Sequence, residues 1–357
     1  MSSRVLDTQK ADAFAQRMVG ILNDGALALM VSIGHRTGLF DTLARLPPST
    51  SPQIAAAAGL NERYVREWLG AMVTGRIIDV DPEDNTYGLP TEHAASLTRA
   101  ATPNNMATFA QYIPLLGAVE DDIVDCFRMG GGVPYSSFPR FQLVMAEESS
   151  QTVASALIDT ILPLAPGLVD SLRSGIDVLD VGCGLGHAVN LMARAFPNSR
   201  FTGFDLSQEG IAAARREADE LGLSNADFRV EDVSVLNSVE QYDLITAFDV
   251  IHDQARPGVV LSEINKALRS GGTFLMQDIA ASTHVHNNID HPIAPFLYTI
   301  SCMHCMTVSL AQGGEGLGAM WGQEKALEML SAAGFTDTDV RQLPHDFQNS
   351  YFISRKR

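Results

Sequence analysis

Residues 178–186 read Val-Leu-Asp-Val-Gly-Cys-Gly-Leu-Gly, an apolar strand that ends in a glycine-rich turn. Such a turn lets the backbone approach a ligand where a Cβ would collide. The dinucleotide pattern needs glycines at the first, third and sixth positions. Here they stand at Gly182, Gly184 and Gly186, and His187 takes the sixth place. Asp180 lies just ahead of the turn, where a carboxylate suits a cationic amine better than a pyrophosphate. Four further runs follow in order. Phe201-Thr202-Gly203-Phe204-Asp205 puts an acid at the end of a second strand, where it can accept hydrogen bonds from ribose hydroxyls. Val230-Glu231-Asp232-Val233 puts a carboxylate and a backbone N–H where an adenine edge could be read. The run from Tyr242 through Phe248 and Asp249 to His252 and Asp253 ends a fourth strand with titratable groups at its tip. Leu268 to Phe274 reads as a helix stop and a tight turn into a fifth strand.

The elements that must position these residues alternate. Strand-like runs at Ile176–Val181, Arg200–Phe204, Ala226–Val230, Tyr242–Phe248 and Thr273–Ile279 enclose helical runs at His187–Ala195, Gln208–Leu221 and Pro257–Leu268. This predicts an α/β parallel sheet with helices on both faces. Val340–Leu343 and Ser350–Ser354 can add two strands.

The first hundred residues differ. Phe14–Ile33 reads as a helix stopping at Gly34, and His35–Ala44 as a second. Ser51-Pro52 opens a third, and Asn61 caps Glu62–Thr74. Arg76–Val80 and Asn85–Leu89 then form a small hairpin. Helix, turn, helix and wing make a winged helix. Asn104–Met129 reads as one long helix bent at Pro114, and Phe138–Leu172 as helix interrupted at Pro163. The expected organisation is a winged-helix domain at 1–100, a helical linker at 101–150 and a third region at 151–357.

With 46% hydrophobic and 19% charged residues the chain can bury sizeable cores. A net charge of −17 disfavours nucleic-acid partners. Residues 1–100 hold nine Lys/Arg against eleven Asp/Glu, so the winged helix has no basic excess either. Four cysteines form no disulfide framework, and the polar start after Met1 shows no signal peptide, so a cytoplasmic setting is expected. Between His291 and Gly314 there is no Asp, Glu, Lys or Arg. Prolines, His304 and Gln312 argue for a buried, pocket-lining segment there rather than a membrane span. Phe296, Tyr298, Met303, Met306, Met320 and Trp321 are expected to line an apolar pocket. Cys302 and Cys305 have the spacing of half a metal site, but no second pair exists, and no metal is expected.

Together the five runs resemble the class I S-adenosylmethionine-dependent methyltransferases, over about residues 150–357. The resemblance implies a Rossmann-like, seven-stranded sheet. It implies that Asp180, Gly182, Cys183, Gly184 and Gly186 surround the methionine part of S-adenosylmethionine. Asp205 would take the ribose, with Leu206 against the adenine. Asp232 and Val233 would take the adenine edge, and the backbone at Phe248 and Asp249 the amino group. The whole chain resembles a narrower group, the small-molecule methyltransferases with an N-terminal winged helix. Phe248 to Gln254 and Gly314 to Gly322 carry that likeness, which implies a homodimer paired through the N-terminal domains. The methyl carbon of the cofactor is already electrophilic, so the enzyme mainly aligns a nucleophile in line with the C–S bond. A hydroxyl acceptor also needs a base, for which His252 and Asp253 are placed first and His304 second.

The expected function is methyl transfer to oxygen or nitrogen of a small, apolar or aromatic acceptor. Nucleic-acid methyltransferases fit less well: Phe248-Asp249-Val250-Ile251 stands where amino-methylating DNA enzymes carry Asp/Asn-Pro-Pro-Tyr/Phe, and no cysteine follows a proline. The competing reading is a ligand-sensing winged-helix regulator that kept the fold and lost the activity.

Overall fold

The first helix runs unbroken from Thr8 to Thr37 and stops at Gly38, whose φ of 72° closes it. The stop expected at Gly34 is absent. Gly34 serves packing instead: a Cβ there would lie 2.5 Å from the Trp68 ring and 2.8 Å from Phe40. The next helix is accordingly short, Leu39–Leu43. Thr50 rather than Ser51 caps the helix Ser51–Ala58, its N–H donating to Gln53 Oε1 at 2.8 Å. Asn61 caps Glu62–Thr74 through its side chain, as expected. Strands β1 (Asp79–Asp81) and β2 (Thr86–Gly88) pair antiparallel as the wing. Phe40, Ile54, Leu69 and Met72 are fully buried in one core cluster of this unit, and Trp68 Nε1 donates to the Met30 carbonyl at 2.8 Å.

This computed structural model describes residues 6–357, so the start at Met1–Arg4 lies outside the described residues. The chain forms two compact units, one ending at Leu115 and the other running Leu116–Arg357. The expected helix Asn104–Met129 is instead two helices, Tyr112–Gly117 and Glu120–Met129, because Val119 leaves helical geometry at φ −114°. Likewise the stretch Phe138–Leu172 divides into a helix Phe141–Ser149, two π-turns, a 3₁₀ turn holding Pro163, and a helix Leu168–Ser174. Proline lacks the N–H that a continuous helix would use there.

In the second unit seven strands form one sheet: β3 (Asp177–Val181), β4 (Arg200–Asp205), β5 (Ala226–Val230), β6 (Tyr242–Phe248), β7 (Leu268–Ile279), β8 (Thr338–Leu343) and β9 (Asp346–Arg355), in the order β5-β4-β3-β6-β7-β9-β8. Pairs among β3 to β7 are parallel, and β9 runs antiparallel between β7 and β8. β7 begins at Leu268 rather than Thr273, because Leu268 pairs with Tyr242 before the register shifts. Side chains alternate across the sheet. Val178, Phe201 and Leu244 pack under Met192 and Ile211, whereas Leu179, Ile245 and Phe274 pack under Val260, Ile264 and Leu330. The chain order reverses beside β3, whose neighbours are β4 and β6. At such a switch point the helices diverge to opposite faces and leave a crevice at the strand ends.

Candidate active site

The crevice holds a cavity of about 200 Å³. Its floor is the turn after β3. Gly182 has φ +69°, and a Cβ on it would strike Val250 at 2.5 Å, so glycine is required on two counts. The N–H groups of Gly182 and Cys183 both donate to the Phe204 carbonyl, at 2.8 and 3.0 Å, which ties the turn to β4. Gly184 N–H donates to Asp205 Oδ2 at 2.9 Å, and Ser207 N–H to Asp205 Oδ1 at 2.8 Å. Asp205 thus fastens the turn and still faces the cavity. Burial raises its pKa, opposed by those backbone hydrogen bonds. Asp180 is buried at 3% exposure and accepts from Thr246 Oγ at 2.6 Å. Burial pushes its carboxyl up to about 7, with the Thr246 bond pulling down and Asp205 adding to the rise. A cation placed beside it would favour its ionised form.

Of the expected ligand residues, Asp180, Gly182, Cys183, Gly184, Asp205, Leu206, Val233, Phe248 and Asp249 line this cavity. Two do not. Gly186 lies behind the turn, against Ala214 and Phe228. Asp232 is exposed and caps the short turn Val233–Val235 by accepting from Ser234 N–H at 2.8 Å. Its neighbour Glu231 lines the cavity instead.

Beyond the tip of β6, His252 and Asp253 sit on one 3₁₀ turn. His252 Nδ1 lies 2.8 Å from Asp278 Oδ1, both side chains being almost fully buried. Burial alone would lower the imidazole pKa; the Asp278 carboxylate and the Cys305 thiol override it and hold His252 well above its ordinary value. Asp278 Oδ1 also accepts from Trp321 Nε1 at 2.9 Å and from Ile279 N–H at 2.8 Å. Asp253 lines the cavity, and burial pushes its carboxyl up to about 6, with His252 opposing and Asp278 adding. Asp249 has φ +54°, and its Oδ2 accepts from Gln277 Nε2 at 3.1 Å. One ligand atom each from Asp249, His252 and Asp278 falls within 4.8 Å of the others, a spacing a metal ion could use; here His252 Nδ1 is engaged by Asp278.

His304 is stacked on Phe141 with ring centroids 3.4 Å apart. A second, wider cavity of about 970 Å³ adjoins the first and shares Tyr135, Phe141, Gln142 and Asp253 with it. None of Phe296, Tyr298, Met303, Met306, Met320 and Trp321 lines either cavity; the uncharged stretch contributes Val308, Ala311 and Gln312. Trp321 went to Asp278, and Tyr298 accepts from Asn288 at 3.1 Å. Sequence reasoning missed Asp278, although an acid at the end of the fifth strand was a visible signal. It also missed Tyr135, Phe141 and Met145, which come from the helical stretch before the sheet and carry no local motif.

The sheet order and the turn beside β3 define the class I methyltransferase fold. Two family models match the chain: a methyltransferase domain over residues 172–334 and an Rv2258c-like winged HTH domain over residues 25–99. The chain thus carries a methyltransferase domain with the class I fold, preceded by an Rv2258c-like winged helix. Human N-acetylserotonin methyltransferase in complex with SAM superposes with a TM-score of 0.68 at 18% identity, over 100% of this chain and 99% of that one. A putative O-methyltransferase from Nostoc punctiforme gives 0.72 at 18% identity, over 96% and 98%. In sequence, a fatty-acid O-methyltransferase from Mycolicibacterium smegmatis is 34% identical over 29% of this chain and 37% of its own length. The chain spans about a third of the length of the first curated relatives it matches.

Proposed function

We propose that this protein transfers the methyl group of S-adenosylmethionine to an oxygen or nitrogen of a small, apolar or aromatic acceptor. The observation that carries the reading is a cradle of Asp180, the 182–184 turn and Asp205 lining one cavity, with Asp253 on its wall and, behind it, His252 of the same turn buried against Asp278. Asp180 offers a buried carboxylate to the amino group of the cofactor, Asp205 a carboxylate to the ribose, and Leu206 and Val233 apolar contacts to the adenine. Gly186 and Asp232 take supporting places, one in packing and one in capping the turn that holds Val233. S-adenosylmethionine, when bound, supplies an electrophilic methyl carbon. This chain's part is to orient the acceptor, exclude water and take up its proton. His252 is the base: Asp278 accepts at Nδ1, which leaves Nε2 as the nitrogen that takes up a proton, and stabilises the imidazolium once formed. The ring lies just behind the cavity-lining Asp253 and also meets the Cys305 thiol, which must yield for Nε2 to reach the acceptor. Asp253, at the border of both cavities, orients the acceptor.

Homodimerisation through the N-terminal unit is supported by the first helix. Phe14, Met18, Leu22, Leu29 and Ile33 follow helical spacing along one face, and all are exposed, Phe14 at 60% and Leu22 at 69%. That helix and the run Ala294–Ala311 are both long and apolar enough to cross a membrane. A stripe on one face, with Leu27, Met30 and Val31 packed on the core of its own unit, fits a second copy of the chain better. The regulator alternative is disfavoured by the would-be reading helix Glu62–Thr74, where Arg63 pairs with Glu67 and Arg66 with Glu62.

The reading is tested by titrating S-adenosylhomocysteine into the protein and by following transfer of a labelled methyl group to a panel of phenols and amines. Absence of homocysteine-product binding would remove it.

A further inference from the structure

One buried polar group has no place in the reaction above. His304 is 1% exposed, and neither Nδ1 nor Nε2 has a hydrogen-bond partner among the described residues. An imidazole always carries something to donate or accept, and burying it unpaired is costly. Its surroundings are aromatic. Phe141 lies parallel to it at 7°, and Tyr135 and Phe138 meet it edge-on with centroids 5.3 and 4.7 Å away.

His304 lines neither cavity itself, but the elements around it border the wider one. It falls in the π-turn Ser301–Cys305, which runs directly into the helix Met306–Ala311. Such turns inside helices frequently mark functional positions. Val308 and Ala311 follow His304 at helical spacing, and both line the wider cavity. Tyr135, Phe138 and Phe141 line that same cavity, so the ring covering His304 is also cavity wall. Asp253 borders this space and the cofactor cradle alike, and His304 lies directly behind the Phe141 wall of the wider cavity.

We propose that His304 is a specificity-determining residue: once the Phe141 ring turns aside, it hydrogen-bonds a second, neutral polar group of the acceptor, selecting phenols that also carry a carbonyl. Burial, and then the nearby His252, hold the imidazole down to about 3, so it meets the acceptor neutral, with one N–H to donate. That state suits a carbonyl and gives no charge attraction to a carboxylate. The inference rests on the methyltransferase reading above.

The test uses the full-length protein loaded with S-adenosylhomocysteine, the loading titration itself reporting on the cofactor. Two probes of similar shape, 4′-hydroxyacetophenone and 4-ethylphenol, are then titrated in. The expected result is about tenfold tighter binding of the ketone, the worth of one added hydrogen bond. In His304→Phe that preference should collapse to near unity while 4-ethylphenol binds as before. Imidazole nitrogen NMR on the wild type keeps the test independent of the variant's folding: the His304 signals should move with the ketone and stay with 4-ethylphenol. Equal affinities, no binding of either probe, or a preference that survives in His304→Phe overturns the proposal. Failure of the loading step would instead strike the cofactor reading on which it stands.

Discussion

Asp278 Oδ1 accepts three hydrogen bonds, from His252 Nδ1 at 2.8 Å, Ile279 N–H at 2.8 Å and Trp321 Nε1 at 2.9 Å. The carboxylate is thereby pinned, and with it the tautomer and orientation of the imidazole. His252→Ala should lower kcat by about a hundredfold or more on a hydroxyl acceptor, the usual range for losing a general base. Because Asp278 raises the His252 pKa, kcat/KM should climb with pH through an inflection above the ordinary histidine value. Asp278→Asn removes that hold and should move the inflection down. A pH–rate profile with the inflection unmoved would count against the pairing.

Asp205 anchors the turn and faces the cavity at once. Asp205→Ala should weaken S-adenosylhomocysteine binding about ten- to a hundredfold, the range for a hydrogen bond to a charged group. Isothermal titration measures this, and unchanged affinity would remove the ribose assignment.

Asp180 is raised to about 7 in the free protein. Folding with a raised carboxyl pKa binds protons, so the favourable contribution is complete below the ordinary carboxylate range and is lost as pH rises through about 7. Asp180→Asn should therefore raise the melting temperature of the ligand-free protein more at pH 8 than at pH 5. A cationic amine beside Asp180 favours its ionised form, so cofactor binding near pH 7 should release protons. Titrations in buffers of differing ionisation enthalpy would detect this, and no buffer dependence would argue against the Asp180–amine contact.

Gly182 combines φ +69° with a Cβ position 2.5 Å from Val250. Gly182→Ala should cost about 1–3 kcal/mol of stability from backbone strain, with further loss from the clash. Chemical denaturation gives the number. Gly184→Ala, with nothing near its Cβ, should be milder in stability, since only its positive φ is strained.

The exposed stripe on the helix Thr8–Thr37 predicts that Phe14→Glu with Leu22→Glu turns a dimer into a soluble monomer. Sedimentation velocity reads the mass directly. A wild type already monomeric at micromolar concentration would dismiss the interface.

Much of the second unit was legible because its signals are local. Strands β5 and β6 and the helix His187–Ala195 fall at the expected residues, since each is an apolar run bounded by polar or turn residues. The turn at 182–186 was legible for the same reason, its glycines being demanded by backbone geometry. The capping place of Asp232 was not legible, because a carboxylate after a strand suits a ligand and a helix cap equally, and sequence does not distinguish them.

What the sequence by itself determined was the alternation of strands and helices, the glycine turn, the acids that follow successive strands and the wing at the N-terminus, all set by propensity and periodicity over a few residues. Only the tertiary structure decided that Gly34 packs under Trp68 rather than ending a helix, that Asp278 stands behind His252, and that Phe141 lies on His304. The residues of these three pairs lie far apart in the chain. Their meeting depends on strand order and on which face of each element is buried, and no local pattern encodes either.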